Sequence, residues 1–218
     1  MTEMSEISEQ DFIVTVADES HCKYALEICL QMEVSANQRG TGIAKRDPDY
    51  IMGKMRDGKS IIALHRDAET GQEKLGGFCY LETWSDKKYV ANSGLIVLPA
   101  YRQHGLAKLI KRRAFELSRE KYPDAKVFGI TTSLPVMKIN TELGYVPVPF
   151  SELTDDLVFW DVCQSCPNYD ILMRTKHRMC LCTGMLYDPD NPHPHTAATL
   201  QFLIEIATSA PPEPPPNE

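Results

Sequence analysis

The stretch from Tyr89 to Lys121 constrains this chain most, because it joins a short apolar strand to a long helix through a glycine-bearing loop. Tyr89–Leu98 reads as a strand closed by Pro99. Tyr101–Lys121 has the length and pattern of an amphipathic helix, with Leu106, Leu109, Ile110, Ala114 and Leu117 on one face. That second stretch opens with Arg102-Gln103-His104-Gly105-Leu106-Ala107. Glycine at 105 removes a side chain where a backbone must approach something closely. The first amides of a helix have no internal partners, so such an end is an anion site. The charge agrees: residues 99–122 hold Arg102, Lys108, Lys111, Arg112, Arg113, Arg119 and Lys121 against Glu116 and Glu120, a local net of +5. A solvated helix face would carry the same charges, but a diphosphate suits the whole unit.

Other elements follow from periodicity and punctuation. Phe12–Ala17 is a β-branched strand, and Ser20 is expected to cap a helix running to about Glu33. Asn37–Ile43 reads as a loop. Asp47-Pro48 starts a helix that Gly58 ends, with the cap before a proline at the first helical position. Ser60–His65 and Leu75–Trp84 form a hairpin about the turn at Gly71. Val127–Thr132 is a buried strand, Pro135 opens a helix that stops at Gly144, and a last strand is expected near Met179–Leu186. A C-terminal helix is expected from about Thr196. The order is β-α-α-β-β-β-α-β-α and then a cysteine-bearing region, an α/β (α+β) pattern. Residues 1–150 read as the core, 151–209 as an extension completing the sheet, and 210–218 as a proline-rich tail that cannot bury itself.

Composition excludes several classes. A net charge of −7 over 218 residues argues against a general nucleic-acid binder, and no apolar run reaches the roughly 18 residues of a membrane span. The opening MTEMSEISEQ is acidic and polar, unlike a signal peptide, so a cytoplasmic location is expected. Seven cysteines then point to thiols or metal ligands and not to a disulfide framework.

Arg102-x-x-Gly105-x-Ala107, the preceding Gly94-Leu-Ile-Val-Leu-Pro99 and the later Glu142-Leu-Gly-Tyr145 together resemble the GNAT family of N-acetyltransferases over roughly residues 12–150. The resemblance implies a mixed, mostly antiparallel central sheet with one splayed strand pair, flanked by helices. It implies acetyl-CoA or another acyl-CoA as co-substrate, its pantetheine arm paired with the backbone of Leu95, Ile96 and Val97. Amides of Gln103, His104, Gly105, Leu106 and Ala107 would hold the diphosphate, with Arg102, Lys108, Lys111 and Arg112 near the phosphates. Members of the family often pair as homodimers.

Acyl transfer from a thioester to an amine needs a deprotonated amine, a stabilised oxyanion and a proton for the leaving thiolate. Many relatives supply that proton from a tyrosine four residues before the glycine of the Leu-Gly-Tyr corner. This chain has Asn140 there, and Ser133 replaces the asparagine often found where that helix starts. No acid lies on strand 89–98, which leaves Glu82 on the neighbouring strand as the candidate base, with His65 and His104 behind it. A plain surface glutamate is the competing reading of Glu82.

Gly42-Ile-Ala-Lys45-Arg46, Ile130-Thr-Thr-Ser133 and Leu143-Gly-Tyr-Val-Pro-Val148 are similar to the acetyltransferase domain of N-acetylglutamate synthases, in their short stand-alone forms. That similarity implies transfer of an acetyl or succinyl group to glutamate in arginine biosynthesis. A dicarboxylate needs cations, and Arg39, Lys45 and Arg46 would supply them, with hydroxyls from Thr132 and Ser133. Surface charge is the alternative for the lysine–arginine pair. Two other functions stay open: a transferase acting on a polyamine, a drug or a protein N-terminus, and an idle acyl-CoA-binding or metal-binding module.

Cys163-x-x-Cys166 and Cys180-x-Cys182 offer four thiolates in two close pairs, the arrangement of a structural zinc site. On a strand over 179–186, Cys180 and Cys182 would face the same way. The alternative is four reduced cysteines packed as small apolar side chains. Cys22, Cys29 and Cys79 sit at apolar positions and read as core, while His193 and His195 lie in a proline-rich loop.

Overall fold

The computed structural model describes residues 11–39, 45–67 and 70–192. Among the described residues seven strands and six α-helices follow one another: β1 (Phe12–Val16), α1 (Ala25–Arg39), α2 (Pro48–Arg56), β2 (Ser60–Arg66), β3 (Glu73–Trp84), β4 (Tyr89–Val97), α3 (Leu106–Lys121), β5 (Lys126–Thr131), α4 (Leu134–Glu142), β6 (Val146–Val148), α5 (Leu157–Asp161), α6 (Tyr169–Arg174) and β7 (Thr183–Tyr187). The strands form one sheet in the order β1-β2-β3-β4-β5-β7-β6. Every neighbouring pair is antiparallel except β4 and β5. This is the expected mixed sheet. The expected C-terminal helix, proline-rich tail, His193 and His195 lie outside the described residues. Among the described residues no helix is long and apolar enough to cross a membrane.

Both faces of the sheet are covered, which is why β2 and β3 read as nearly unbroken apolar runs. On one face α3 lays Leu106, Ile110, Ala114 and Leu117 against Ile61, Cys79, Leu81 and Val127. On the other, α1 and α2 bury Ile28, Met32, Ile51 and Met55 against Ile62, Phe78 and Tyr80. Beside them a third cluster packs Phe159, Trp160 and Leu172 from the cysteine-bearing region onto Phe128 and Leu186. The Trp160 indole N–H donates to the Thr154 carbonyl at 3.0 Å, while the Trp84 indole N–H, edge-on to Phe159, has no partner among the described residues.

Several local expectations need correction. Asp18, not Ser20, caps the first helical segment: its carboxylate accepts from the Ser20 amide at 2.9 Å, and a 3₁₀ stretch over Glu19–Tyr24 leads into α1. That helix continues to Arg39, through part of the expected loop. Helix α3 begins at Leu106, five residues later than Tyr101, because Gln103 and Gly105 both take left-handed backbone with φ of 72° and 75°. Strand β7 starts only at Thr183, and it enters the sheet between β5 and the short β6, which the sequence pattern gave no reason to expect.

Candidate acyl-CoA and acceptor cleft

Strands β4 and β5 pair for only three residues, Tyr89 to Ala91 against Lys126 to Phe128. Beyond that they part. On its other side β4 stays paired with β3, but with a bulge: Ser93 faces Tyr80 and Ile96 faces Phe78, leaving Gly94 and Leu95 opposite Cys79 alone. Gly94 adopts φ of 64°, and a Cβ there would lie 2.6 Å from the Tyr80 ring and 2.8 Å from the Met32 methyl. Only glycine fits this bend. The bulge turns β4 away from β5 and leaves the backbone of Leu95, Ile96 and Val97 without a strand partner on the β5 side.

The fork encloses a cavity of about 210 Å³ lined by residues from both faces of the sheet. From the α3–α4 face it is lined by Asn92, Lys111, Val136 and Asn140. From the opposite face come Arg46, Tyr80, Cys163 and Tyr169, while Thr132 and Ser133 line it at the end of β5. Two substrates entering from opposite faces could meet here.

The glycine loop follows the end of β4, beyond the residues that line the cavity. The Arg102 Nε donates to the Val97 carbonyl at 3.1 Å, tying the loop to the end of β4. Left-handed backbone at 103 and 105, on either side of His104, is the alternation from which anion nests are built, and it comes just before the positive end of α3. Gln103 and Gly105 are exposed, His104 and Ala107 half-buried, and Leu106 is anchored in the core. Lys108 and Arg112 point to solvent, Lys108 in an ion pair with Glu142 at 2.7 Å.

Lys111 corrects the sequence reading. It does not reach toward phosphates but turns inward beneath the fork, 2 % exposed. Its Nζ donates to the Asn92 Oδ1 at 3.3 Å and lies 5.4 Å from the centre of the Tyr145 ring. Among the described residues no carboxylate pairs with it. Burial pulls its pKa down to about 8. The same burial pushes the Cys79 thiol beside it up to about 11 and the Tyr145 phenol well above its ordinary value, so both neighbours stay neutral.

On the acceptor face the structure separates two cations that the sequence left together. Lys45 is exposed and pairs with Glu33 at 3.2 Å. Arg46 turns into the cavity, its Nε donating to the Tyr80 hydroxyl at 2.7 Å and its guanidinium 5.8 Å from the centres of the Tyr50 and Tyr80 rings. Arg39 ends α1, and its side chain lies outside the described residues, as do Gly42, Ile43 and Ala44.

Glu82 stands apart from the cavity lining. Tyr50 donates its hydroxyl to the Glu82 carboxylate, and Lys54 forms an ion pair with the same oxygen. Both partners come from α2, which crosses this face of the sheet. Burial, then the neighbouring Tyr80, raise the Tyr50 phenol far above its ordinary range, so it remains a donor. A carboxylate held by two donors and set back from the cleft is poorly placed to take a proton from an amine. His65 is further away in function: it stacks on Tyr101 at 5.0 Å and meets Phe12 edge-on.

The four C-terminal cysteines gather at one side of the cavity, but not as a metal set. Among the described residues no group of three or more histidines, cysteines or acids is arranged to hold an ion. The expected alternation of Cys180 and Cys182 fails because both precede the first residue of β7. The Cys180 thiol points to the Asn168 carbonyl at 3.8 Å. Burial, reinforced by the neighbouring thiols, pushes Cys163 up to about 11 and Cys182 up to about 12, so both pack as neutral thiols against the aromatic cluster. The zinc expectation is not met by this arrangement.

No protein-family model matches the sequence, and no curated protein matches it. Solved structures do match the fold. Rv2747 from Mycobacterium tuberculosis, in complex with CoA and NLQ, is 16% identical with a TM-score of 0.57, over 81% of this chain and 98% of that one. N-acetylglutamate synthase from Neisseria gonorrhoeae, complexed with coenzyme A and N-acetyl-glutamate, is 15% identical with a TM-score of 0.56, over 84% of this chain but only 35% of the synthase. An acetyltransferase of the GNAT family from Staphylococcus aureus Mu50 is 11% identical with a TM-score of 0.54, over 82% and 99% of the two chains. The architecture is that of the GNAT acetyltransferases.

Proposed function

We propose that this chain is an acyl-CoA-dependent N-acyltransferase whose acceptor is a small anionic amine, glutamate or a close relative. The observation that carries this reading is the cavity in the β4–β5 fork, into which Arg46 turns, with the left-handed turns of the glycine loop following the unpaired end of β4. The amides of Gln103 to Ala107 would hold the diphosphate, and the free edge of Leu95, Ile96 and Val97 would pair with the amide-bearing arm. The arm's own length then carries the thioester into the fork. A backbone N–H near the bulge would polarise its carbonyl.

The acceptor would enter from the opposite face. Arg46 would hold a carboxylate, its fork oriented by Tyr80, and the hydroxyls of Thr132 and Ser133 would complete the grip. Glu82 acts in this account through Tyr50 and Lys54, fixing α2 against the sheet behind Arg46. Holding both reactants in one cavity supplies much of the acceleration. The Neisseria gonorrhoeae synthase, whose structure is named for its complex with coenzyme A and N-acetyl-glutamate, supports the choice of acceptor.

The reading is tested by competition. A mixture of glutamate, aspartate, glutamine, a polyamine and a short peptide is offered with acetyl-CoA or succinyl-CoA, and the products are identified by mass. N-acylglutamate as the main product supports the proposal; preferential acylation of the polyamine or the peptide contradicts it.

A further inference from the structure

We propose that Lys111 is the proton donor to the thiolate that leaves the acyl-CoA, a catalytic role for a side chain buried under the fork. The proposal deepens the acyl-transfer reading and rests on it. Attack by the acceptor nitrogen forms the C–N bond, and the C–S bond breaks with its electron pair on sulfur. The surplus proton on nitrogen leaves to solvent. Sulfur takes its proton from the Lys111 ammonium, which is then reprotonated from water, so the free thiol of CoA and the amide are the products.

Three observations converge on this side chain. First, the position is built. Asn92 is held in one orientation, its Nδ2 donating to Ser118 Oγ at 2.8 Å while that hydroxyl donates to the Ala114 carbonyl at 2.7 Å. Its Oδ1 is thereby aimed at Lys111 and also accepts from the Tyr145 hydroxyl at 3.0 Å. Second, the ammonium has no counter-ion among the described residues. A buried cation without one is costly unless something anionic arrives to meet it. Third, among the described residues the α3–α4 side of the cavity offers no other acid. Asn92, Val136 and Asn140 cannot donate a proton to a thiolate, and the buried Asn140 Oδ1 has no hydrogen-bond partner, which leaves a polar gap facing the fork.

The groups that face Lys111 are Cys79 from β3, Asn92 from β4 and Tyr145 from the turn before β6, with Tyr187 of β7 behind that ring. Cys79 donates to the Ser93 carbonyl at 3.4 Å and is a neutral thiol, so none of these groups supplies a negative charge. An ammonium titrating near 8 matches a leaving alkyl thiol of about 8.5, the condition for efficient proton transfer near neutral pH.

The test titrates the thiol of bound CoA by its thiolate absorbance, with the desulfo-CoA complex subtracted, in the wild-type protein, Lys111→Met and Lys111→Arg. In the wild type the bound thiol should titrate about one unit or more below free CoA. Lys111→Met should abolish that shift while keeping CoA affinity within a few-fold, and Lys111→Arg should retain it. With an active amine, both variants should lose roughly a hundredfold or more in kcat, because arginine keeps the charge but cannot give up its proton. A wild-type thiol titrating like free CoA, an unaltered shift in Lys111→Met, or wild-type turnover by Lys111→Arg would each overturn the role. A thiol shift without turnover on any amine would instead overturn the transferase reading and leave the ammonium–sulfur pairing standing.

Discussion

Replacing Lys111 by methionine should make the protein more stable at neutral pH and should erase a pH dependence. Burial takes the Lys111 pKa from 10.5 to about 8, and each unit corresponds to about 1.4 kcal/mol, so carrying the charge inside costs on the order of 3 kcal/mol. Below pH 8 the lysine is charged in both states and the whole cost is present. Between about 8 and 10.5 the folded state has released its proton while the unfolded state still holds one, so stability rises with pH. Above 10.5 both states are neutral and the cost is gone. Methionine is close in length and carries no proton, and Asn92 Oδ1 keeps the Tyr145 hydroxyl as its donor. Urea unfolding at a series of pH values reads the difference between the two proteins. Cys79 and Tyr145, whose raised pKa values act in the opposite sense, are common to both and cancel. The stability advantage of the variant should shrink across that window. A difference that stays flat from about pH 7 to 11 would falsify the assignment of a buried, charged lysine.

Other perturbations check other parts of the account. Gly94→Ala puts a Cβ 2.6 Å from the Tyr80 ring at a φ of 64°, and should cost about 2–4 kcal/mol in urea unfolding from left-handed strain plus overpacking; a loss under about 1 kcal/mol would mean that the bulge relaxes freely. Arg46→Ala should raise KM for an anionic acceptor tenfold or more, the loss of a charged hydrogen bond of about 1.5–3 kcal/mol, with KM for acyl-CoA nearly unchanged. Equal effects on both constants would place Arg46 outside the acceptor site. Cys163→Ala should lower stability by about 1 kcal/mol, and a chelator should leave the thermal midpoint of the wild type where it was. Unfolding on chelation would restore the metal reading.

The fold was legible because its strongest signals are local. The apolar runs of β2 and β3, Asp47-Pro48 before α2 and Gly105 before α3 each fix an element with few neighbours in sequence. The fork was implied by family resemblance, but its cause, a bulge at Gly94 that only glycine fits against Tyr80, depends on a contact between strands. The site was read less well for the same reason. Lys111 counted as one of a basic run, although Lys111, Ala114 and Ser118 recur at helical spacing and mark a second inward stripe beside Ile110 and Leu117. Lys45 and Arg46 could not be told apart without Tyr80 and Glu33 in place. Glu82 was chosen for its strand, and only the packing of α2 reveals that Tyr50 and Lys54 occupy it. The cysteine pairs satisfied a spacing rule, yet Cys180 and Cys182 fall before the strand that was to align them.

The most direct test of the account is to mix the purified protein with an acyl-CoA, with and without L-glutamate, and follow free thiol and N-acylglutamate together. Thiol released in step with N-acylglutamate, and dependent on both substrates, is the result the β4–β5 fork predicts. Tight binding of the acyl-CoA with no amide formed from glutamate or any other amine would contradict the claim that this cleft is a site of acyl transfer.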